Sequence, residues 1–359
     1  MRLLMLVSDA HGSMGGIAQF NRDAIDALCG SAAVDEIVVL PRLVSEEFVP
    51  LAKVRYDLAA ARGKLAFASH ALREAAGGRF DLVICGHVNL MPVAAMAARI
   101  GGAKLALVVH GTDVWTRPGS LTAASVRRAD LIISVSQMTL ERMRRWLPGS
   151  KPDTAIVPNT VRLDRFGAGA KDTELVAKYG LAGRRVVMTL GRMAANEQAK
   201  GFDQVIEVMP RLLKSAPDLV YLCAGDGNDR PRLEAKARNL GLADAVIFTG
   251  RVPEERKADY YRLADAYVMA SREEGFGIVV LEALACGVPV VGSKIDATRE
   301  ALLEGELGQT VDPNNSTELE QAILKAIDQP KGVPERLSYF GFANFEQRLR
   351  TALTPVMAA

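Results

Sequence analysis

The stretch AYVMASREEGFGIVVLEALACGVPVVGS, residues 266–293, decides the fold class of this chain. Its first and last segments, Ala266–Ala270 and Val288–Gly292, are short apolar runs typical of strands that are buried on both faces of a sheet. Between them, IVVLEALA follows a glycine-rich turn and stops before Gly287, which is typical of a short helix with a glycine after its last turn. A strand, a helix and a strand in this order predict parallel pairing in an α/β sheet.

The same alternation of short apolar runs and longer amphipathic segments extends over both halves of the chain. The predicted strands are Leu3–Val7, Glu36–Leu40, Leu82–Cys85, Leu105–Val109, Leu131–Val135 and Ala155–Val157, and then Val186–Leu190, Val220–Ala224, Val246–Thr249, Ala266–Ala270, Val288–Gly292 and Gly308–Val311. A polar segment, residues 164–183, separates the halves. Because 359 residues exceed what one core usually supports, we expect two doubly wound α/β domains facing across a cleft, with ligands at the carboxyl ends of the strands.

Composition excludes several classes of protein. The 49% hydrophobic and 24% charged residues are those of a soluble globular protein, and a net charge of +2 predicts no nucleic-acid partner. The start MRLLMLVSD becomes polar too early for a signal peptide, and no window approaches the ~20 apolar residues that cross a bilayer. We therefore expect a cytoplasmic protein whose cysteines, without metal or redox spacing, are reduced core residues: Cys29, Cys85, Cys223 and Cys286.

Charge is distributed unevenly along the chain. The first 165 residues carry an excess of Lys and Arg, and the remainder carries a slight excess of Asp and Glu. A basic strip in the first half fits either a solvated helix face or a surface for anionic lipid or an anionic acceptor. The second alternative adds a peripheral contact with the inner face of the cell membrane. The strip consists of Arg127, Arg128, Arg142, Arg144, Arg145 and Lys151.

A glycine-rich turn, HGSMGG at residues 11–16, follows the first predicted strand and opens a helix at Gly16. There the backbone N–H groups of Gly15 and Gly16 can approach a phosphate at the positive end of the helix, and a plain tight turn is the alternative. The glycines do not have the G-x-G-x-x-G spacing, and no acid follows a second strand at the distance that a ribose contact requires. This pattern argues against a nicotinamide cofactor.

Two polar residues follow the strand Leu105–Val109 in the sequence HGTD. His110 can polarise a sugar hydroxyl or carry catalytic hydrogen bonds, or it can be a satisfied structural residue. Asp113 can orient His110 or an acceptor hydroxyl, or it can cap a helix. Both are therefore candidate catalytic residues.

In the second half, Arg192 and Lys200 lie in one strand-to-helix loop, GRMAANEQAKGFD at residues 191–203. A fixed guanidinium and a mobile ammonium suit opposed phosphate oxygens, and a plain surface charge is the alternative for Lys200.

Two further loops follow predicted strands. Gly225 and Asp226, in AGDG, lie where the backbone can approach a ligand closely or can simply turn. Arg251 and Val252, in GRV, lie where backbone atoms can bond the edge of a nucleobase.

Two carboxylates flank the start of the helix in the opening stretch. Glu274 precedes it, and Glu282 lies about one and a half turns inside it. Gly275 and Gly277 place backbone N–H groups at the helix N-terminus, so that both carboxylates can reach one ligand from different heights. The alternative is a capping acid followed by one buried, paired Glu.

The chain resembles the retaining glycosyltransferases of the GT4 family, which have the GT-B fold, over nearly its whole length. The most specific element is EGFGIVVLEALACGVPVV, residues 274–291, which is similar to the E-x7-E motif of that family. The weaker elements occur in the same order: GG at 15–16, HGTDVW at 110–115, VPNTVRLDRF at 157–166, GR and KG within 191–201, and GDG at 225–227.

The resemblance implies a role for each matching residue. Glu274 bonds hydroxyls of the donor sugar, and Glu282 holds the ribose of the nucleotide. Arg192 and Lys200 bind the diphosphate and stabilise its departure, although the loop between them is longer than the compact form common in the family. His110 lies beside the reacting sugar. The other residues of the expected donor site are Gly15, Gly16, Gly225, Asp226, Arg251, Val252, Gly275, Phe276, Gly277 and Ile278.

The function implied by the resemblance is transfer of a hexose from a UDP- or GDP-sugar to a glycan, lipid-linked or other hydroxyl acceptor. The product has an α-glycosidic bond, and the setting is bacterial polysaccharide, lipopolysaccharide or glycolipid synthesis. No metal and no other cofactor is expected, because cations and helix N–H groups can stabilise the departing diphosphate. The alternatives are a nucleotide-sugar epimerase of the GT-B fold and a non-catalytic nucleotide-sugar binding protein.

The resemblance also implies the division into domains. An acceptor-binding domain comprises residues 1–165 and 338–359, and a donor-binding domain comprises residues 166–337. The first is discontinuous because a final helix returns to it. The segment Glu335–Leu353 is the candidate, since five apolar residues lie on roughly one helical face: Leu337, Phe340, Phe345, Leu349 and Leu353.

Overall fold

The computed structural model describes residues 1–11, 15–45, 48–149, 152–195 and 198–357. The chain forms two compact units. Unit 1 comprises Met1–Thr160 with Phe342–Ala359, and unit 2 comprises Val161–Gly341. Unit 1 is therefore discontinuous in sequence. The domains expected from the sequence change at 165/166 and 337/338, whereas the units change at 160/161 and 341/342.

Unit 1 is built on a seven-stranded parallel sheet of order β3-β2-β1-β4-β5-β6-β7. The strands are β1 (Arg2–His11), β2 (Glu36–Val44), β3 (Val54–Tyr56), β4 (Leu82–Cys85), β5 (Lys104–Val109), β6 (Leu131–Ser134) and β7 (Asp153–Ile156). Because β1 pairs with both β2 and β4, the strand order reverses at β1. Ligands of open α/β sheets bind at such a switch point, beyond the carboxyl ends of the strands.

Helices connect these strands and cover the sheet. They are α1 (Gly16–Cys29), α2 (Lys64–Gly77), α3 (Met91–Gly101), α4 (Thr112–Trp115), α5 (Ser120–Val126) and α6 (Gln137–Arg144). The central strands are apolar throughout, and Leu3–Val7 of β1 is almost completely buried. Continuous burial is what a strand covered by helices on both faces requires.

Unit 2 is built on a six-stranded parallel sheet of order β10-β9-β8-β11-β12-β13. The strands are β8 (Arg185–Leu190), β9 (Leu219–Ala224), β10 (Val246–Gly250), β11 (Ala266–Met269), β12 (Val290–Ser293) and β13 (Gln309–Val311). Here β8 pairs with β9 and β11, so the order reverses at β8. The loops after β8 and β11 therefore lie side by side.

The helices of unit 2 are α7 (Thr173–Lys178), α8 (Phe202–Ser215), α9 (Arg230–Asn239), α10 (Lys257–Leu263), α11 (Ile278–Ala285), α12 (Thr298–Ala301) and α13 (Ser316–Ile327). The helix α8 buries Phe202, Val205, Met209 and Leu212, spaced three or four residues apart. This spacing places them on one face, which packs into the core of unit 2.

The α/β class with two doubly wound parallel sheets is confirmed, and each predicted strand overlaps an observed one. The strand β3 was not predicted. It has three residues, lies at the edge of its sheet, and carries the exposed Arg55 at its centre, so that no apolar run marks it. No helix in the described ranges is long and apolar enough to cross a membrane.

The expectation of one continuous helical face over Glu335–Leu353 is wrong. A 3-10 helix, Glu335–Phe340, ends before Gly341, and α14 (Phe342–Met357) begins after it. Gly341 has an extended backbone, φ −65 and ψ 155, which interrupts the helix. All five apolar residues are nonetheless buried. Within unit 1, α14 packs on α1, where the rings of Phe345 and Phe20 meet edge to face at 5.5 Å.

Candidate functional site

The loop after β11 leads directly into α11, which begins at Ile278. Gly277 precedes this helix with φ 96, a backbone conformation that glycine adopts readily and that is strained for residues with a side chain. Phe276 points into the protein, where its ring meets that of Phe340 at 5.6 Å. Gly275 is buried as well. This part of the predicted donor site is therefore a rigidly packed turn.

Glu274 occupies the centre of this loop and is bonded from three sides. Its Oε2 accepts a hydrogen bond from Nζ of Lys200 at 2.6 Å. Its backbone N–H donates to Oδ2 of Asp296 at 3.1 Å, and its carbonyl accepts from the N–H of Ala297 at 3.2 Å. The structure thus brings together two predicted site residues, and Asp296 is an addition that the sequence did not indicate.

Glu282 lies inside α11 and is almost completely buried. Its Oε1 accepts from Nζ of Lys257 at 2.9 Å, and its Oε2 accepts from the hydroxyl of Tyr261 at 2.7 Å. Burial alone would lower the pKa of Lys257, but the charges of Glu282 and Glu254 raise it overall. The fold therefore provides partners for both oxygens, as in the paired-Glu alternative. Since each carboxylate oxygen can accept more than one bond, a ribose contact stays a prediction.

Lys257 and Tyr261 are one helical turn apart on α10 and were missed by the sequence analysis. Their spacing places both side chains on one face of the helix. This spacing was visible in the sequence, but nothing there indicated that the face is turned toward Glu282.

The loop after β8 carries Arg192 and Lys200, and residues 196 and 197 between them lie outside the described residues. Arg192 is exposed at the start of the loop, and Lys200 ends the 3-10 turn Gln198–Lys200. The N–H of Arg272 donates to the carbonyl of Ala199 at 2.8 Å. The turn that holds Lys200 is therefore fixed to the acidic loop that contains Glu274.

The loop after β9 supports the loop after β8 from its other side. The N–H of Met193 donates to the carbonyl of Asp226, and the N–H of Asp229 donates to the carbonyl of Met193, both at 2.9 Å. The N–H of Ala195 donates to Oδ1 of Asn228 at 2.8 Å. The sequence did not indicate Asn228, whose side chain belongs to this backbone network.

Two glycines permit this close approach. A Cβ at Gly225 would lie 2.0 Å from the carbonyl oxygen of Gly191, and a Cβ at Gly227 would lie 2.0 Å from that of Met193. The close backbone approach predicted for this turn is therefore to the neighbouring loop. At the end of β10, Arg251 is exposed and Val252 is buried.

In unit 1, His110 follows β5, and its Nε2–H donates to the carbonyl of Gly86 at 3.0 Å. The ring also meets Phe20 edge to face at 5.3 Å. Burial, together with a smaller effect of the nearby His87, lowers the pKa of His110 to about 4. At neutral pH the imidazole is therefore uncharged, and the bond to Gly86 leaves Nδ1 as an acceptor.

Asp113 lies in the first turn of α4, and its carboxylate bonds the backbone at His110. Its Oδ1 accepts from the backbone N–H of His110 at 3.1 Å. Its Oδ2 is enclosed and has no hydrogen-bond partner among the residues that the structure describes. Burial raises the pKa of Asp113 to about 7, although backbone N–H groups counteract this shift.

Gly15 and Gly16 lie at the start of α1, as the sequence predicted. Gly15 has an extended backbone, and its carbonyl accepts from the N–H of Gln19 at 3.0 Å. Residues 12–14 of the glycine-rich turn lie outside the described residues. A phosphate contact there stays a prediction.

The basic strip is largely exposed in unit 1. Arg142 differs, because its guanidinium stacks on the ring of Trp115 at 3.8 Å. Lys151 lies outside the described residues, and the exposed members are Arg127, Arg128, Arg144 and Arg145. In the described part of the chain, no group of three or more His, Cys, Asp or Glu side chains could hold a metal ion.

Comparison with known protein families assigns both halves of the chain. The family model described as Glycosyltransferase Family 4 matches residues 19–165, and the one described as Glycosyl transferases group 1 matches residues 172–343. The chain belongs to the GT4 family of glycosyltransferases. The family inferred from the sequence is thereby confirmed.

Two relatives of this GT4 protein illustrate the similarity. It is 32% identical over 265 residues to a GDP-mannose-dependent alpha-(1-6)-phosphatidylinositol monomannoside mannosyltransferase of Mycolicibacterium smegmatis, covering 69% of this chain and 66% of the relative. It is 30% identical over 215 residues to a D-inositol 3-phosphate glycosyltransferase of Nocardiopsis dassonvillei, covering 57% and 49%. The chain thus spans between about half and two thirds of these relatives' length.

Solved structures confirm the GT-B fold. The Anabaena protein HepE in complex with UDP-glucose matches this GT4 protein with a TM-score of 0.80 and 21% identity, over 99% of this chain and 100% of HepE. The lipopolysaccharide outer core galactosyltransferase WaaB in its apo form matches with a TM-score of 0.74 and 18% identity, over 99% of each chain.

Proposed function

We propose that this GT4 protein is a retaining glycosyltransferase that transfers a hexose from a UDP- or GDP-sugar to a hydroxyl of a glycan or lipid-linked acceptor. The observation that carries the proposal is the contact of Glu274 with Lys200. A carboxylate suits sugar hydroxyls, and an ammonium suits a phosphate. A nucleotide sugar carries sugar hydroxyls and a phosphate next to each other.

Unit 2 supplies the donor chemistry in this proposal. Glu274 bonds the sugar, and Lys200 has three N–H donors, so it can bind a phosphate oxygen while it keeps its bond to Glu274. Arg192 binds the second phosphate, and the N-terminus of α11 adds backbone N–H groups. Glu282, with Lys257 holding its charge, binds the ribose. Gly225, Asp226, Arg251 and Val252 complete the expected nucleotide contacts.

The reaction exchanges one bond at C1 of the sugar for another. The bond from C1 to the phosphate oxygen breaks, and Arg192 and Lys200 stabilise the charge on the departing diphosphate. The acceptor hydroxyl attacks C1 on the same face, and its proton passes to a phosphate oxygen. The α configuration is thereby retained. No metal takes part in the proposed step.

Unit 1 supplies supporting groups and the acceptor surface. An uncharged His110 acts as a hydrogen-bond partner of the reacting sugar, since its pKa of about 4 excludes a cation at neutral pH. Asp113 keeps the backbone of His110 in place. Gly15 and Gly16 at the start of α1 contact the donor phosphates.

Two named proteins support the choice of donor. The Mycolicibacterium smegmatis relative is described as GDP-mannose-dependent, and HepE was crystallised with UDP-glucose. No protein named here is an epimerase or a non-catalytic binding protein, so neither alternative is favoured. A bacterial polysaccharide or glycolipid acceptor, and a cytoplasmic location with peripheral membrane contact, belong to the same proposal.

The proposal is tested by incubating the protein with UDP-glucose, UDP-galactose, UDP-N-acetylglucosamine and GDP-mannose, with and without lipid-linked acceptors. We expect release of UDP or GDP, retention of the α configuration in the product, and no loss of rate in EDTA. Absence of both nucleotide release and binding would contradict the proposed function. Loss of activity in EDTA would contradict the metal-free step alone.

The membrane contact has its own test. Vesicles of a zwitterionic lipid with and without an anionic lipid are sedimented with the protein. We expect binding to the anionic vesicles that weakens in salt, since several exposed arginines of the strip face solvent. Equal recovery of the protein with both kinds of vesicle would show that the basic strip is a solvated helix face.

A further inference from the structure

Asp296 is a fully buried carboxylate beside the loop of unit 2 that joins β11 to α11 and contains Glu274. It follows β12, which is the neighbour of β11 in the sheet. Its Oδ2 accepts from the hydroxyl of Ser271 at 2.6 Å and from the N–H of Glu274 at 3.1 Å. Its Oδ1 accepts from the N–H of Thr298 at 3.0 Å. The side chain therefore joins the start of α12 to the loop after β11.

Ala297, the residue after Asp296, also bonds the backbone of Glu274. The N–H of Ala297 donates to the carbonyl of Glu274 at 3.2 Å, so two consecutive residues hold both backbone polar groups of Glu274. The side chain of Glu274 is held separately by Lys200. The backbone and the carboxylate of Glu274 are therefore held by different partners, Asp296 and Ala297 for the backbone and Lys200 for the side chain.

We infer that Asp296 is a positioning residue that sets the place of the Glu274 carboxylate for the donor sugar. The inference rests on the proposed function, in which Glu274 bonds the sugar. Among the described residues, the Asp296 carboxylate bonds Ser271 and the Glu274 backbone in the loop after β11 and Thr298 in α12, so it acts on the proposed sugar site through Glu274.

Burying a carboxylate here is costly for the fold. A carboxylate removed from water needs compensating hydrogen bonds, and the nearby charge of Glu274 opposes a second negative charge. Burial, together with a smaller effect of the Glu274 charge, raises the pKa of Asp296 to about 6. In return, a carboxylate makes hydrogen bonds to N–H and O–H donors that are roughly twice as strong as those of a neutral side chain.

The expected consequence is a selective effect on the chemical step. A shift of a binding group by about 1 Å can lower a rate about 100-fold without removing any contact residue. The nucleotide contact is assigned to Glu282, whose carboxylate is bonded by Lys257 and Tyr261 of α10, and neither of these residues bonds Asp296. Loss of Asp296 should therefore lower turnover and leave nucleotide affinity intact.

Asp265 offers a matched control at the other end of β11. It directly precedes that strand, and its Oδ2 accepts from the N–H of Val186 in β8 at 2.8 Å, next to Lys171 at 2.8 Å. Asp265, like Asp296, thus fixes a neighbouring backbone N–H through its carboxylate. It lies at the amino ends of the strands, away from the loops that carry Glu274 and Lys200.

The test compares Asp296→Ala, Asp296→Asn and Asp265→Ala with the wild type, using UDP-glucose and GDP-mannose as donors. We expect kcat for nucleotide release to fall at least about 10-fold in Asp296→Ala, with KM and the inhibition constant of UDP or GDP within about threefold. Asp296→Asn should be intermediate, because its amide oxygen can still accept from the N–H of Glu274. Asp265→Ala should keep the wild-type kcat per folded molecule.

Hydrogen exchange of the peptide that contains Glu274 provides a second measurement that needs no activity. We expect faster exchange of its amide in Asp296→Ala and no change in Asp265→Ala, because only the first loses the acceptor of that N–H. Unchanged exchange, or a kcat of Asp296→Ala equal to that of Asp265→Ala, would overturn the inference. A wild type that releases no nucleotide would refute the proposed function, and the exchange result would still decide whether Asp296 holds Glu274.

Discussion

In unit 2, Nζ of Lys200 lies 2.6 Å from Oε2 of Glu274, although the two residues are 74 positions apart. They come from the loops after β8 and β11, which are adjacent in the parallel sheet. The strand order therefore explains why a cation suited to phosphate and an acid suited to sugar meet. Both side chains are partly buried at this contact.

Replacing Glu274 tests its proposed contact with the sugar. We expect Glu274→Ala to lower turnover about 100-fold or more, as does removal of one well-placed polar group in other active sites. Stability should change little, because Lys200 keeps access to solvent. The neighbour Glu273 is exposed, and Glu273→Ala is the matched control. Equal rates of nucleotide release for the two variants would rule out the assigned role.

Glu282 should affect nucleotide binding and stability together. Glu282→Ala leaves Lys257 buried beside Glu254 at 3.3 Å, and losing one partner of a buried pair costs about 3 kcal/mol. The ribose contact should be lost as well, so titration calorimetry should show weaker UDP or GDP binding.

A control for Glu282→Ala breaks the same ion pair by replacing its partner Lys257. Lys257→Met should lower the urea midpoint to a similar extent while it keeps most of the nucleotide affinity, because Glu282 remains. If Lys257→Met loses nucleotide affinity as strongly as Glu282→Ala does, the effect comes from the fold and the ribose contact is disproved.

The two glycines after β9 should be intolerant of any side chain. Gly225→Ala places a Cβ 2.0 Å from the carbonyl oxygen of Gly191, so the loops after β8 and β9 must separate. We expect a loss of at least about 2 kcal/mol in urea unfolding, since strain and lost backbone bonds combine. Gly183→Ala is the control, because Gly183 also has a positive φ but nothing within 4 Å of an added Cβ. Equal losses in the two variants would refute the packing explanation.

His110 and Asp113 should give unit 1 opposite dependences on pH. His110 has a folded pKa of about 4 against an ordinary 6.5, so its contribution is complete above 6.5 and is lost as pH falls toward 4. Asp113 has a folded pKa of about 7 against 3.8, so its contribution is complete below 3.8 and is lost as pH rises toward 7. In the wild type the two largely cancel.

Variants of these two residues should therefore differ in how their free energy of unfolding changes with pH. Between about pH 4.5 and about pH 6.5, His110→Gln should lose up to about 2 kcal/mol relative to the wild type, and Asp113→Asn should gain as much. The measurement is urea unfolding at both pH values, with the difference between the two taken for each protein. Parallel differences in all three proteins would show that neither group titrates as described.

Much of the fold was predictable because buried parallel strands are continuous apolar runs. The runs in β8 and β11, followed by polar loops, also placed Lys200 and Glu274 after these strands, and the sheet order then makes the two loops neighbours. The strand β3 escaped because an edge strand of three residues has no such run. The break at Gly341 escaped because apolar spacing alone cannot distinguish one helix from a 3-10 turn followed by another.

The supporting residues of the site were not predictable in the same way. Asp296 contacts Glu274 only because β12 lies beside β11, and nothing in KIDATRE distinguishes a buried carboxylate from a surface one. Lys257 and Tyr261 contact Glu282 because one face of α10 packs on α11. These contacts depend on how elements pack against each other, whereas sequence periodicity reports only what each element is.

In the proposed function, the Lys200–Glu274 pair of unit 2 binds a nucleotide sugar and promotes departure of its diphosphate. Nucleotide release from UDP-glucose and GDP-mannose by the wild type and by Lys200→Met tests this role. We predict release from at least one of these donors by the wild type and a loss of about 100-fold in kcat/KM for the variant. Equal rates for the two proteins, or no binding of either donor by the wild type, would contradict this role of the pair.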